Sequence, residues 1–195
     1  VYTTQKFPRY PVAWKILGSI LGQTGRLVEA LEVNQTAVRL APKDAEAHSN
    51  LGSTLKLLGR IQEAEACFSQ TIKLTPDLAA AHNNLGAVLQ EQGRFGEAEE
   101  SLKSAITLAP SYAEAHCNLG LALKELDRLD EAVRSMQQGI ALQPGLVEAH
   151  NNLGKMLREL DRLDEAEASC RRAIELKPDY AEAHSNLCRV LYRLG

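Results

Sequence analysis

Histidine and cysteine are the residues of this sequence best suited to metal or nucleophilic chemistry. There are five histidines (His48, His82, His116, His150, His184) and four cysteines (Cys67, Cys117, Cys170, Cys188). A zinc ion needs its ligands about 2 Å away. Each histidine lies 34 residues beyond the last, which puts equivalent side chains on successive layers, about 10 Å apart if the layers are packed helices. One ion cannot collect them. No two cysteines form a Cys-x-x-Cys pair, and no Ser-His-Asp order, Cys-His motif or phosphate-cradling glycine loop appears. The acidic pairs Asp130-Glu131 and Asp164-Glu165 fall where helices should start. They suit a helix dipole there better than acid–base catalysis. Neither enzymatic activity, nor a metal, nor another cofactor is expected. A different chemistry recurs in Asn50, Asn84, Asn118, Asn152 and Asn186. An asparagine side chain has N–H donors and acceptor lone pairs, so a row of them can hold a polypeptide main chain without demanding its side chains.

The same 34-residue step runs through the whole sequence, and it defines the elements that must carry these residues. Trp14 precedes His48 by one step. Leucine recurs from Leu17 to Leu187, glycine from Gly18 to Gly154, alanine from Ala30 to Ala166 and proline from Pro42 to Pro178. In one period, Ala81, Leu85, Val88 and Leu89 fall on one face at helical spacing, and Ala98, Leu102, Ala105 and Ile106 make a second apolar stripe. A Gly-Arg turn separates the two, and Pro110 ends the period because it cannot continue a helix. So short a turn makes the helices antiparallel neighbours. One pair cannot bury both stripes, but a stack of pairs can. Arg26, Arg60, Arg94, Arg128 and Arg162 recur in the turns and read as structural or solvated.

Taking Pro11 as position one gives complete repeats over 11–44, 45–78, 79–112, 113–146 and 147–180, and a half repeat over 181–195. Counting back places a partial preceding helix in 1–10. Both ends fall in mid-repeat, so the chain is expected to be an internal slice of a longer array. The half repeat leaves an apolar face of Leu187, Val190, Leu191 and Leu194 without its usual second helix. Such faces tend to find another surface, which predicts end-to-end self-association.

The pattern of Trp or His, then Leu, Gly, Leu, Ala and Pro resembles the tetratricopeptide repeat family. It is carried by Trp14, Leu17, Gly18, Leu21, Ala30 and Pro42 in the first repeat, and by His48, Leu51, Gly52, Leu55, Ala64 and Pro76 in the second. Asn34, Gly139 and Cys170 depart from it. The resemblance implies an all-α fold, a right-handed superhelical α-solenoid of stacked antiparallel helix pairs. It also implies a concave side lined by the first helix of each pair, with position six facing it. Asn50, Asn84, Asn118, Asn152 and Asn186 hold that position. Together they resemble the asparagine ladder in the repeats of O-linked N-acetylglucosamine transferases, which holds the substrate polypeptide. The alternative is that the row only hydrogen-bonds along the inner surface. Family members that clamp chaperone tails need a position-five lysine with asparagine at position nine. Lys15 is followed by Ser19, which argues against that clamp.

These readings predict a scaffold binding an extended polypeptide in the concave groove. The second reading is the substrate-recruiting segment of a larger glycosyltransferase-like enzyme, and the third a self-assembling structural array. Lys155, Arg158 and Arg189 join the candidate binding residues, because they concentrate positive charge near the C-terminal end where an acidic peptide segment could sit. Cys117, at position five, is expected to be exposed in the groove. The net charge of −3 disfavours nucleic acid, and no apolar run is long enough to cross a bilayer. Four cysteines read as reduced thiols suit the cytoplasm.

Overall fold

The computed structural model describes residues 10–195. The partial helix expected over 1–10 lies, Tyr10 apart, outside the described residues. From Pro11 onward the described residues form eleven α-helices and no strand. They are α1 (Pro11–Gln23), α2 (Leu27–Leu40), α3 (Ala45–Leu57), α4 (Ile61–Leu74), α5 (Ala79–Glu91), α6 (Phe95–Leu108), α7 (Ala113–Glu125), α8 (Leu129–Leu142), α9 (Val147–Glu159), α10 (Leu163–Leu176) and α11 (Ala181–Leu194). Odd-numbered helices are the first of each pair. The chain makes two compact units, one ending at Arg94 and the other beginning at Phe95. The first holds α1 to α5 and the second α6 to α11. Within each unit every helix packs on the next in sequence. First helices also meet directly: α1 touches α3, α3 touches α5 and α9 touches α11. α7 and α9 meet less closely than these pairs.

Local chemistry sets the helix ends. Asp44 caps α3, its carboxylate accepting from the backbone N–H of Glu46 at 3.0 Å and Ala47 at 3.2 Å. Two of the four orphan N–H groups are satisfied in this way. Each second helix from α2 to α10 stops two residues before a proline, as in Leu40-Ala41-Pro42, because the residue before proline avoids helical geometry. The turn between paired helices needs a left-handed residue. Gly59 supplies it at φ 73° in the first unit, whereas Asp127 and Asp161 supply it at 59° and 60° in the second. Aspartate is among the few side chains that tolerate this region.

The core is a row of small and large residues meeting between paired helices. Ala30, Ala64, Ala98, Ala132 and Ala166 are all fully buried. So are the residues four positions further on, Asn34, Phe68, Leu102, Met136 and Cys170. The glycine of the preceding helix receives this second residue: a methyl added at Gly52 would lie 2.9 Å from Phe68 Cε1. The departures at Asn34 and Cys170 therefore sit in core positions and are accommodated there. Asn34 donates through Nδ2 to Thr54 Oγ1 at 2.9 Å and to the Asn50 carbonyl at 3.3 Å. Gly139 has its own reason. A methyl there would press on Cys117 Sγ and lie 2.8 Å from the Ala113 carbonyl oxygen, so α7 and α8 approach too closely for alanine.

Candidate functional site

The histidines are tied up by the backbone. Wherever a repeat carries histidine, the imidazole Nε2 donates to the proline carbonyl six residues earlier: His48 to Pro42 at 3.0 Å, His82 to Pro76 at 2.8 Å, His116 to Pro110 at 2.9 Å, His150 to Pro144 at 3.0 Å and His184 to Pro178 at 2.8 Å. A carbonyl only accepts, so the proton sits on Nε2 and that nitrogen offers no lone pair to a metal. Each bond pins the start of a first helix to the loop before it. Among the described residues no three histidine, cysteine or acidic side chains gather where an ion could bind. The acidic pairs Asp130-Glu131 and Asp164-Glu165 lie in the first turns of α8 and α10. The turn arginines bind the carboxylate three residues on, as Arg60 does with Glu63 and Arg162 with Glu165.

The five asparagines of position six are not equivalent. Asn50, Asn84, Asn118 and Asn152 are half-buried on α3, α5, α7 and α9. Asn186 on α11 is only 3% exposed, and its Nδ2 donates to Asn151 Oδ1 at 2.8 Å. Asn151, at position five, is itself fully buried and reaches Tyr180 Oη at 3.5 Å. This buried role of Asn151 is not part of the repeat pattern. A legible signal existed, since Asn151 and Asn186 are 35 residues apart, one repeat plus one residue.

Only part of the positive charge near the C-terminal end is paired within the protein. Lys155 forms an ion pair with Glu182, and Arg193 binds Asp161 at 2.7 Å and the Arg158 carbonyl at 2.9 Å. The Lys155 ammonium and the Tyr180 hydroxyl hold the Glu182 carboxyl below the usual range. Arg158 and Arg189 line one shallow depression with Cys188, Tyr192 and Arg193. At the other end, Lys15 is paired with Asp44 at 2.9 Å and Glu46 at 2.5 Å.

Cys117 is half-buried against Gly139, less open than its position suggested. Burial, and secondarily the Glu114 charge, push its thiol up to about 11. At pH 8 an ordinary cysteine is roughly a quarter thiolate, whereas a thiol at about 11 is on the order of one-thousandth thiolate. The thiolate is the reactive form. Iodoacetamide is therefore expected to modify exposed Cys188 at least about fiftyfold faster than Cys117. Peptide mapping of a time course checks this, and equal rates would mean an accessible, ionised Cys117.

Two tetratricopeptide repeat family models match the sequence, one over residues 43–111 and 77–144, the other over 3–45 and 117–181. No curated protein matches it. Among solved structures, the thermophilic tetratricopeptide protein TTC0263 of Thermus thermophilus is similar, with 26% identity and a TM-score of 0.77 over 94% of this chain and 100% of that one. MamA (residue 41 to its end) from Desulfovibrio magneticus RS-1 shows 26% identity and a TM-score of 0.75, covering 88% of this chain and 97% of that one. YrrB, a tetratricopeptide protein with an unusual peptide-binding site, shares the fold at 21% identity and a TM-score of 0.70, over 94% of this chain and 95% of that one. No described helix is long and apolar enough to cross a membrane. With its 34-residue period, paired helices and matched family models, the chain belongs to the tetratricopeptide repeat family.

Proposed function

We propose that this chain is a protein-interaction scaffold whose first helices hold an extended polypeptide through their asparagine side chains. The observation that carries the reading is the repeated placement of Asn50, Asn84, Asn118 and Asn152. All four sit at the same position of a first helix and all remain half-buried rather than sealed in the core. Amide groups so placed can bond a peptide main chain whatever its side chains. The resemblance of the row to the asparagine ladder of the transferase repeats supports the same reading, as does the peptide-binding site of YrrB. Asn186 is set apart by its burial and by the bond from its amide to Asn151.

One such hydrogen bond contributes about 1 kcal/mol net, roughly fivefold in affinity. The probe is a set of random decapeptides displayed on phage and selected on the purified chain. Affinities of the recovered peptides are then measured by fluorescence anisotropy. Replacing Asn84 and Asn152 together by alanine is expected to weaken them by about tenfold or more, while Asn186→Ala leaves them nearly unchanged. Equal binding by the double variant would show that the row serves only the protein's own surface.

A further inference from the structure

The gap between α7 and α9 encloses a cavity of about 200 Å³. It is lined by Leu121, Met136, Leu146 and Ala149, with Cys117 beside them and Asn118 and Asn152 at its polar edge. Glu114 and Glu148 complete the lining. A drug-sized ligand needs roughly 300–1,000 Å³, so this cavity suits one long side chain.

The two glutamates differ from their counterparts in other repeats. Position two carries Glu46, Glu114, Glu148 and Glu182. Glu46 is paired with Lys15 and Glu182 with Lys155. Those lysines reach forward from positions five and nine of the preceding repeat. Before Glu148 the same two positions hold Cys117 and Leu121, which are cavity-lining residues and carry no charge. Among the described residues, neither Glu114 nor Glu148 has a cationic partner. Both are exposed, in the first turns of α7 and α9. Between α7 and α9 an apolar cavity flanked by two carboxylates thus stands where the other pairs have an internal cation.

We infer that this cavity is a specificity pocket for a basic side chain, lysine or arginine, of the bound polypeptide. The aliphatic stem lies along Leu121, Met136 and Leu146, and the charged head meets Glu114 and Glu148, as long basic side chains bury their stems and keep their heads polar. Two carboxylates favour such a cation over a neutral chain of the same length. The inference rests on the polypeptide-binding reading above and deepens it by naming what the peptide carries. It also reverses the charge preference that Lys155, Arg158 and Arg189 suggest from sequence.

The test is the same random-decapeptide selection, run on the wild-type chain, on Glu114→Gln/Glu148→Gln and on Glu114→Lys/Glu148→Lys, with folding verified by circular dichroism. Wild-type binders are expected to share lysine or arginine at one position, and replacing it with norleucine should weaken binding about tenfold or more. The glutamine variant loses that preference, and the lysine variant selects acidic residues there. A purely structural role for the glutamates would not invert the preference. Binders without a shared basic residue, or a preference that survives the glutamine variant, would overturn the pocket and leave the asparagine reading standing. Failure to recover any binder would overturn both.

Discussion

Gly139→Val lowers the stability of the second unit by about 3 kcal/mol or more, at the upper end of what overpacking costs. Residue 139 is the place where other repeats carry Ala37, Ala105 and Ala173. Helix propensity alone would make Gly139→Ala stabilising by about 1 kcal/mol. The packing decides otherwise. The added methyl would sit 2.8 Å from the carbonyl oxygen of Ala113, and a backbone atom within a helix cannot turn aside. Gly139→Ala should therefore destabilise, and valine, with two further methyls, should do so more. Removing the Cys117 sulfur in a Cys117→Ala background relieves one clash and leaves the carbonyl. The double variant Gly139→Ala/Cys117→Ala then recovers part of the loss. Urea unfolding followed by circular dichroism measures the change, and hydrogen exchange locates it to α7 and α8. A stabilised Gly139→Ala protein would refute the close approach of those helices.

Phe68→Ala costs about 3–5 kcal/mol, the range for emptying a buried aromatic site. Phe68 is fully buried and clusters with Leu51, Leu55, Ala64 and Val88. A companion change gives a sharper reading. Gly52→Ala in the wild-type background places a methyl 2.9 Å from Phe68 Cε1 and destabilises. In the Phe68→Ala background the same methyl enters the emptied space and becomes neutral or stabilising. The cycle thus yields a coupling of about 1–3 kcal/mol. Additive effects would mean that the ring does not occupy the notch at Gly52.

Periodicity carries most of the fold. The step of 34 located the helix pairs, the small residues and the prolines, because each repeat answers the same local problem: two amphipathic helices, a tight turn and a stop. The asparagine row was legible for the same reason. Its internal differences were not, because they depend on what another repeat contributes. Asn186 is spent because residue 151 is asparagine, and Asn152 borders a cavity beside Cys117. Lys155 looked like a binding charge until Glu182, the first acidic residue of the following first helix, was brought against it. Cys117 looked exposed from its place in the repeat, yet Asn83 and Asn151 at the same position are buried as well. Pairings of this kind lie about one repeat apart and follow no single-repeat pattern.

The buried bond from Asn34 to Thr54 also has a bearing on how nearly interchangeable helix pairs find their right neighbours. If α2 docked one repeat too late, against α5 in place of α3, Thr54 would be replaced by Val88, which has no hydroxyl. The Asn34 amide would then lose its hydroxyl acceptor and keep only a backbone carbonyl, at about 1 kcal/mol. Chains built of similar repeats are prone to misassembly of this sort. A polar residue where the other repeats use Phe68, Leu102 and Met136 thus works as an address label, penalising the out-of-register stack during folding.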